Sequence, residues 1–99
     1  MKRIEVDGLP DEALAAAGVF HQHWLAHVED TLEQGQDVMI VVARADHTHR
    51  EWRLSIVAGL ARKHSPLRVN MVAGEGAGIE ASEAYLAGAP GITGQYLEI

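Results

Sequence analysis

One run of seven residues narrows the fold more than anything else in the chain. Residues 37–43 read DVMIVVA, with apolar side chains at successive rather than alternate positions. A strand that is apolar on both sides must be covered on both sides, as in the centre of a parallel sheet. A parallel neighbour cannot be reached by a hairpin, so crossover segments must flank the strand. Before it, residues 2–6 (KRIEV) alternate weakly and run into Asp7-Gly8-Leu9-Pro10, which predicts a first strand and a turn. Residues 11–34 carry Leu14, Gly18, Leu25, Val28 and Leu32 at spacings of three, four and seven. Those spacings predict one long helix with Asp11 as N-cap, Gly18 as a point of bending or close approach, and Gly35 as its stop.

After it, residues 44–49 form a loop. A second helix over 50–64 carries Trp52, Ile56, Gly59 and Leu60 on one side and stops before Pro66. Residues 67–73 (LRVNMVA) read as a third strand and 74–78 (GEGAG) as a loop. Residues 79–86 make a short helix, 88–94 a loop and 95–99 a last strand. The order β-α-β-α-β-α-β predicts an α/β, small Rossmann-like three-layer fold. It has a four-stranded parallel sheet, right-handed crossovers and helices on both faces. At 99 residues the chain has room for one domain, residues 1–99.

Composition excludes several function classes. Fourteen acidic against 8 basic residues give a formal charge of −6, the wrong sign for a phosphate backbone, so no nucleic-acid partner is expected. There is no cysteine, hence no disulfide and no thiolate metal site. The N-terminal MKRIEVDGLP lacks the apolar core of a signal peptide, and the longest aliphatic stretch, residues 38–43, falls far short of a bilayer span. A cytoplasmic protein with no membrane partner is the expectation.

Residues 55–99 carry a family resemblance. The run SIVAGLARKHSPLRVNMVAGE resembles a helix, Arg-Val-Asn strand and glycine loop of the short-chain dehydrogenase/reductase family. The closing YLAGAPGITGQYLEI resembles the lead-in to that family's last strand, and the segment from Gly18 to Ala43 is compatible with an earlier helix and strand. The resemblance implies the C-terminal half of a Rossmann-like sheet. It also implies what is missing. The family's glycine-rich cofactor turn belongs to a half with no counterpart here. Its catalytic Asn would fall near Ala15, its Ser near Ala45, and its Tyr-x-x-x-Lys pair near Asp46 and Arg50. Aspartate is no phenol, and arginine does not replace that lysine. The resemblance thus implies a domain without the family's catalysis and with no cofactor of its own, NAD(P) being possible only with a partner subunit.

Four clusters remain as candidates, each with a plainer alternative. His23 and His27 are four apart, with His21 nearby, and the loop adds His47 and His49; together they could chelate a metal ion, or be exposed or interfacial histidines. Asp46, His49 and Arg50 could form an acid/base set at the position of the lost catalytic loop, or be solvated loop residues without a nucleophile. Gly74, Gly76 and Gly78 precede a helix and could cradle an anion, but the spacing is not G-x-G-x-x-G and Glu75 would repel phosphate, so a turn with positive φ is the alternative. Phe20, Trp24 and Trp52 widen the apolar stripes of the two long helices, which in full-length relatives commonly pack on a second subunit; core burial is the alternative. The functional expectation is a non-catalytic, homo-oligomeric (dimeric) module, or one that pairs with a full-length dehydrogenase. Residual NAD(P)-linked oxidoreductase activity and a histidine metal site are the rivals.

Overall fold

The computed structural model describes all 99 residues. Four parallel strands lie in the order β1-β2-β3-β4: β1 Lys2–Glu5, β2 Val38–Val42, β3 Val69–Ala73 and β4 Tyr96–Glu98. Register places Ile4 beside Ile40, Ile40 beside Met71 and Met71 beside Tyr96. Every residue of β2 and β3 is buried, as the unbroken apolar runs require. Helices α1 (Ala13–His23), α2 (Leu25–Glu33) and α3 (Arg50–Lys63) cover one face, and α4 (Ala77–Ala87) covers the other. Alternation along the strands sorts the core between the two layers. Val38, Ile40, Val42, Val69 and Met71 face α1–α3 with Phe20, Val28, Leu32 and Val57, while Met39, Val41 and Val72 face α4 with Ile79 and Leu86.

The expected α/β sheet is present, but the uniform crossover hand is not. The chain steps across the sheet in one direction throughout. A crossover that keeps its direction and changes face must change hand, so β3-α4-β4 is of opposite hand to the two before it. Side chains from both family motifs fasten this connection. Arg68 Nη1 donates to the carbonyls of Leu86 (2.9 Å) and Ala89 (3.0 Å), its Nε donates to Asp37 Oδ2 (3.2 Å), and Asp37 Oδ1 accepts from the Arg68 amide. Asn70, fully buried, donates from Nδ2 to the Ile92 carbonyl (3.1 Å) and accepts at Oδ1 from the Gln95 amide (3.1 Å). Thr93 Oγ1 accepts from the Val69 amide. Gly94, at φ 73°, donates its amide to the Val69 carbonyl at 2.7 Å, and a β-carbon there would stand 3.3 Å from that of Ala61.

Other expectations are corrected. Glu12, not Asp11, caps α1, its carboxylate accepting from the amides of Leu14 (2.8 Å) and Ala15 (3.0 Å). The helix predicted over 11–34 is broken, and at Trp24 (φ −118°) rather than at Gly18. Before the break the buried residues are Ala16 and Phe20, so Leu14 and Gly18 face outward; after it Val28 and Leu32 point inward. The stripe of apolar spacings therefore belongs to two faces. On α3 the sheet-facing set is Arg53, Val57, Leu60 and Ala61, leaving Trp52, Ile56 and Gly59 half-buried toward α1 and α2. A 3-10 turn, His47–His49, replaces the end of the predicted loop. Helix α4 begins at Ala77, which places Gly78 inside its first turn.

Candidate functional site

Open parallel sheets present ligand sites at the carboxyl ends of their strands. Here a cleft of about 380 Å³ lies at that end of β1 and β2, between the Asp7–Asp11 turn and the segment from Ala43 to Asp46. His49 and Arg53 reach it from the start of α3. No tyrosine, serine or lysine lines it.

His49 is 4% exposed and both ring nitrogens are engaged. The Trp52 indole N–H can only donate, and it meets Nδ1 at 3.1 Å. The ring proton therefore sits on Nε2, which donates to the Asp11 carbonyl at 2.7 Å. In this arrangement the imidazole is a neutral cross-brace between the turn after β1 and α3, with no lone pair left for a metal or a substrate proton.

Asp46 caps the 3-10 turn. Its Oδ1 accepts from the Thr48 amide at 2.9 Å and from the Thr48 hydroxyl. The hydroxyl bond, then the amide bond, hold this carboxyl below the usual carboxylate range, so it is ionised at neutral pH and has no proton to donate. Arg50 pairs with Glu98 at the surface and lies over the Tyr96 ring, 5.9 Å from its centroid. The structure thus gives Asp46, His49 and Arg50 separate partners and does not make them one acid/base set.

Arg53 is the residue that sequence reasoning missed. It is 3% exposed and has no carboxylate partner. Nη1 donates to the Ala43 carbonyl at 2.9 Å and to the Tyr96 hydroxyl at 3.0 Å, while Nε is buried with no partner. The guanidinium lies 5.5 Å from the Trp52 ring and 5.9 Å from the Tyr96 ring. Its signal was available in the sequence: Arg53 stands four residues before Val57 and seven before Leu60, on the helix stripe that packs against the sheet.

The remaining candidates are dispersed. His23 and His27 are exposed and stand on either side of the break at Trp24, and His47 is exposed in the 3-10 turn. His21 Nδ1 donates to the Ala17 carbonyl at 3.0 Å. No three His, Asp or Glu side chains are grouped so as to hold a metal ion. Gly76 adopts φ 69°, ψ −147°, and a β-carbon on Gly74 would lie 2.4 Å from the Ile99 side chain, so these two glycines serve the turn into α4. Phe20 is fully buried, its ring 5.8 Å from that of Trp52, and cannot face a partner; Trp24 and Trp52 are half-buried. No helix is long and apolar enough to cross a membrane.

Among known proteins, a family model described as SDR-like, short chain dehydrogenase-like protein, matches residues 4–99. No curated protein and no solved structure matches the chain.

Proposed function

This chain belongs to the short chain dehydrogenase-like family, and on that premise we propose that it is a non-catalytic member that acts in the cytoplasm by association. Its partner is a second copy or a full-length dehydrogenase, and any NAD(P) is bound together with that partner. The observation that carries this reading is the content of the corner where the family's chemistry is expected. Ala15 is exposed on α1, Ala45 lines the cleft, Asp46 is spent as a cap and Arg50 is spent on Glu98. A proton relay needs a group that can give up and regain a proton beside the substrate. None of these four supplies one.

Association is supported by the outward side of α1–α3. Leu14 is 80% exposed, and Gly18 and His21 follow it on the same helix stripe. Between α1–α2 and α3 lies an open groove of about 260 Å³, which includes His21, Leu25, Ser55, Ile56 and Gly59. Leu25, Ser55, Ile56 and Gly59 would let a second helix pair approach closely at the floor of a groove whose end is closed by the Glu29–Lys63 ion pair.

Light scattering on the purified chain, followed by dilution through the micromolar range, tests the reading. A dimer that Leu14→Glu converts to monomer is the expected result. A monomer at all concentrations that nevertheless oxidises NADH or NADPH with carbonyl substrates would overturn it.

A further inference from the structure

Arg53 is the only buried arginine, and its free donors form a geometrical unit. Both hydrogens of Nη1 are used, one toward Ala43 and one toward Tyr96. What remains is the Nε–H and the two hydrogens of Nη2. Nε–H and one Nη2–H lie parallel on the same edge of a guanidinium, the fork that matches the two oxygens of a carboxylate. Nε is unpartnered and closed to solvent, so of this edge only Nη2 is open. Nη2 makes no hydrogen bond either and is absent from the buried unpartnered atoms, so it touches solvent; Arg53 lines the cleft. A buried guanidinium without an anion is costly, and the two aromatic rings beside it offset only part of that cost.

We infer that the free edge of Arg53 binds the carboxylate of a small monocarboxylate held in the cleft at the carboxyl ends of β1 and β2. Charge selects the class. Asp7, Asp11 and Asp46 line the same cleft, and the chain carries a formal charge of −6. A phosphate dianion or a nucleotide would meet three carboxylates against two guanidinium groups, Arg53 and Arg44, the latter with its Nε engaged by the Ile99 carbonyl. A single carboxylate can meet the open Nη2 end of the fork, and a hydroxyl or amino group at its far end would face a cleft lined by the carboxylates of Asp7 and Asp11. His49 does not compete, since its Nε2 proton is held by the Asp11 carbonyl. The site stands independently of the association reading, because the cleft and the α1–α3 groove share no residue.

The arginine Nε–H resonances of the full, nitrogen-15-labelled chain test this directly. The chain is titrated at constant ionic strength with acetate, glycolate, glycine, inorganic phosphate and chloride, Arg53→Lys identifying the resonance. The expected result is a saturating shift of the Arg53 Nε–H in the millimolar range with the three monocarboxylates. Glycolate and glycine should bind several-fold tighter than acetate, and chloride should give no saturation. Ala45→Leu, which fills the cleft from its lining without touching the core, should abolish the shift, so the result does not depend on whether Arg53→Lys folds. Saturation by phosphate alone, or an Arg53 resonance indifferent to every anion into the tens of millimolar, would overturn the proposal and leave Arg53 as a clamp between β2 and β4.

Discussion

His49 shows how hydrogen bonds remove a side chain from chemistry. A histidine in a polar loop at the ligand end of a sheet looks available for catalysis, and nothing in the sequence says which nitrogens are engaged. The partners decide: an indole that can only donate and a carbonyl that can only accept fix one neutral tautomer. Replacing the ring strands both partners. His49→Ala is expected to cost about 2 kcal/mol in urea denaturation, the penalty for leaving a buried donor and its counterpart unmade. A loss below about 0.5 kcal/mol, the scale of ordinary surface substitutions, would show that the brace is unimportant. The same logic separates the glycines of the turn into α4. At Gly76, φ 69° with ψ −147° is a region essentially confined to glycine, so Gly76→Ala should cost about 2 kcal/mol. Gly78→Ala adds a β-carbon 3.0 Å from the far end of the Ile99 side chain within a helix, where alanine is the better helix former. That substitution should be close to neutral, and parallel thermal melts of the two variants compare them under one set of conditions.

Elements were legible where their pattern was self-contained. Strands β2 and β3 were readable because burial on both faces leaves no polar position inside the run, save Asn70. Helix faces were not, because spacing alone cannot say which of two stripes meets the sheet. Ala16 is small enough to be overlooked and yet is fully buried, whereas Leu14 is conspicuous and faces out. The hand of the α4 crossover was equally hidden, although its fasteners Arg68, Asn70, Thr93 and Gly94 lie within the motifs that make the family recognisable. Asn70→Leu keeps the side chain's bulk but strands the Ile92 carbonyl and the Gln95 amide, so a loss of about 2–3 kcal/mol is expected, with earlier hydrogen exchange in β4 than in β2. Glu29 ties α2 to the end of α3, accepting from Lys63 Nζ at 2.6 Å and lying 3.0 Å from His64 Nε2. The Lys63 bond, then the His64 bond, hold the Glu29 carboxyl below its ordinary range. Its contribution is therefore complete above the unfolded carboxylate value of about 4.3 and is lost as pH falls through the lower folded value. Glu29→Gln should lower stability near neutral pH by no more than about 1 kcal/mol. It should also flatten the decline of stability below about pH 5, a pair of effects that urea titrations at several pH values resolve.

At the scale of the whole molecule, compactness and incompleteness coexist. The Cα radius of gyration, 12.4 Å, is that of a well-packed chain of this length, yet only 25 of 99 residues are buried and Leu14 and Leu54 stand exposed on the helical layer. Association and folding can be separated here because Phe20 and Leu14 lie on opposite sides of α1. Phe20 fills the core, so Phe20→Ala should cost about 3–5 kcal/mol whether or not the chain dimerises. Leu14→Glu touches no core residue and should leave the stability of the isolated protomer within about 0.5 kcal/mol. If two copies join through α1–α3, the melting temperature of the unmodified chain must rise with concentration, since a partner that binds only the folded state stabilises it by mass action. Leu14→Glu should abolish that dependence and bring the melt to the dilute limit of the parent chain. A melt independent of concentration for both proteins would mean that the outward stripe of α1 does not join two copies, leaving a full-length dehydrogenase as the partner this reading requires.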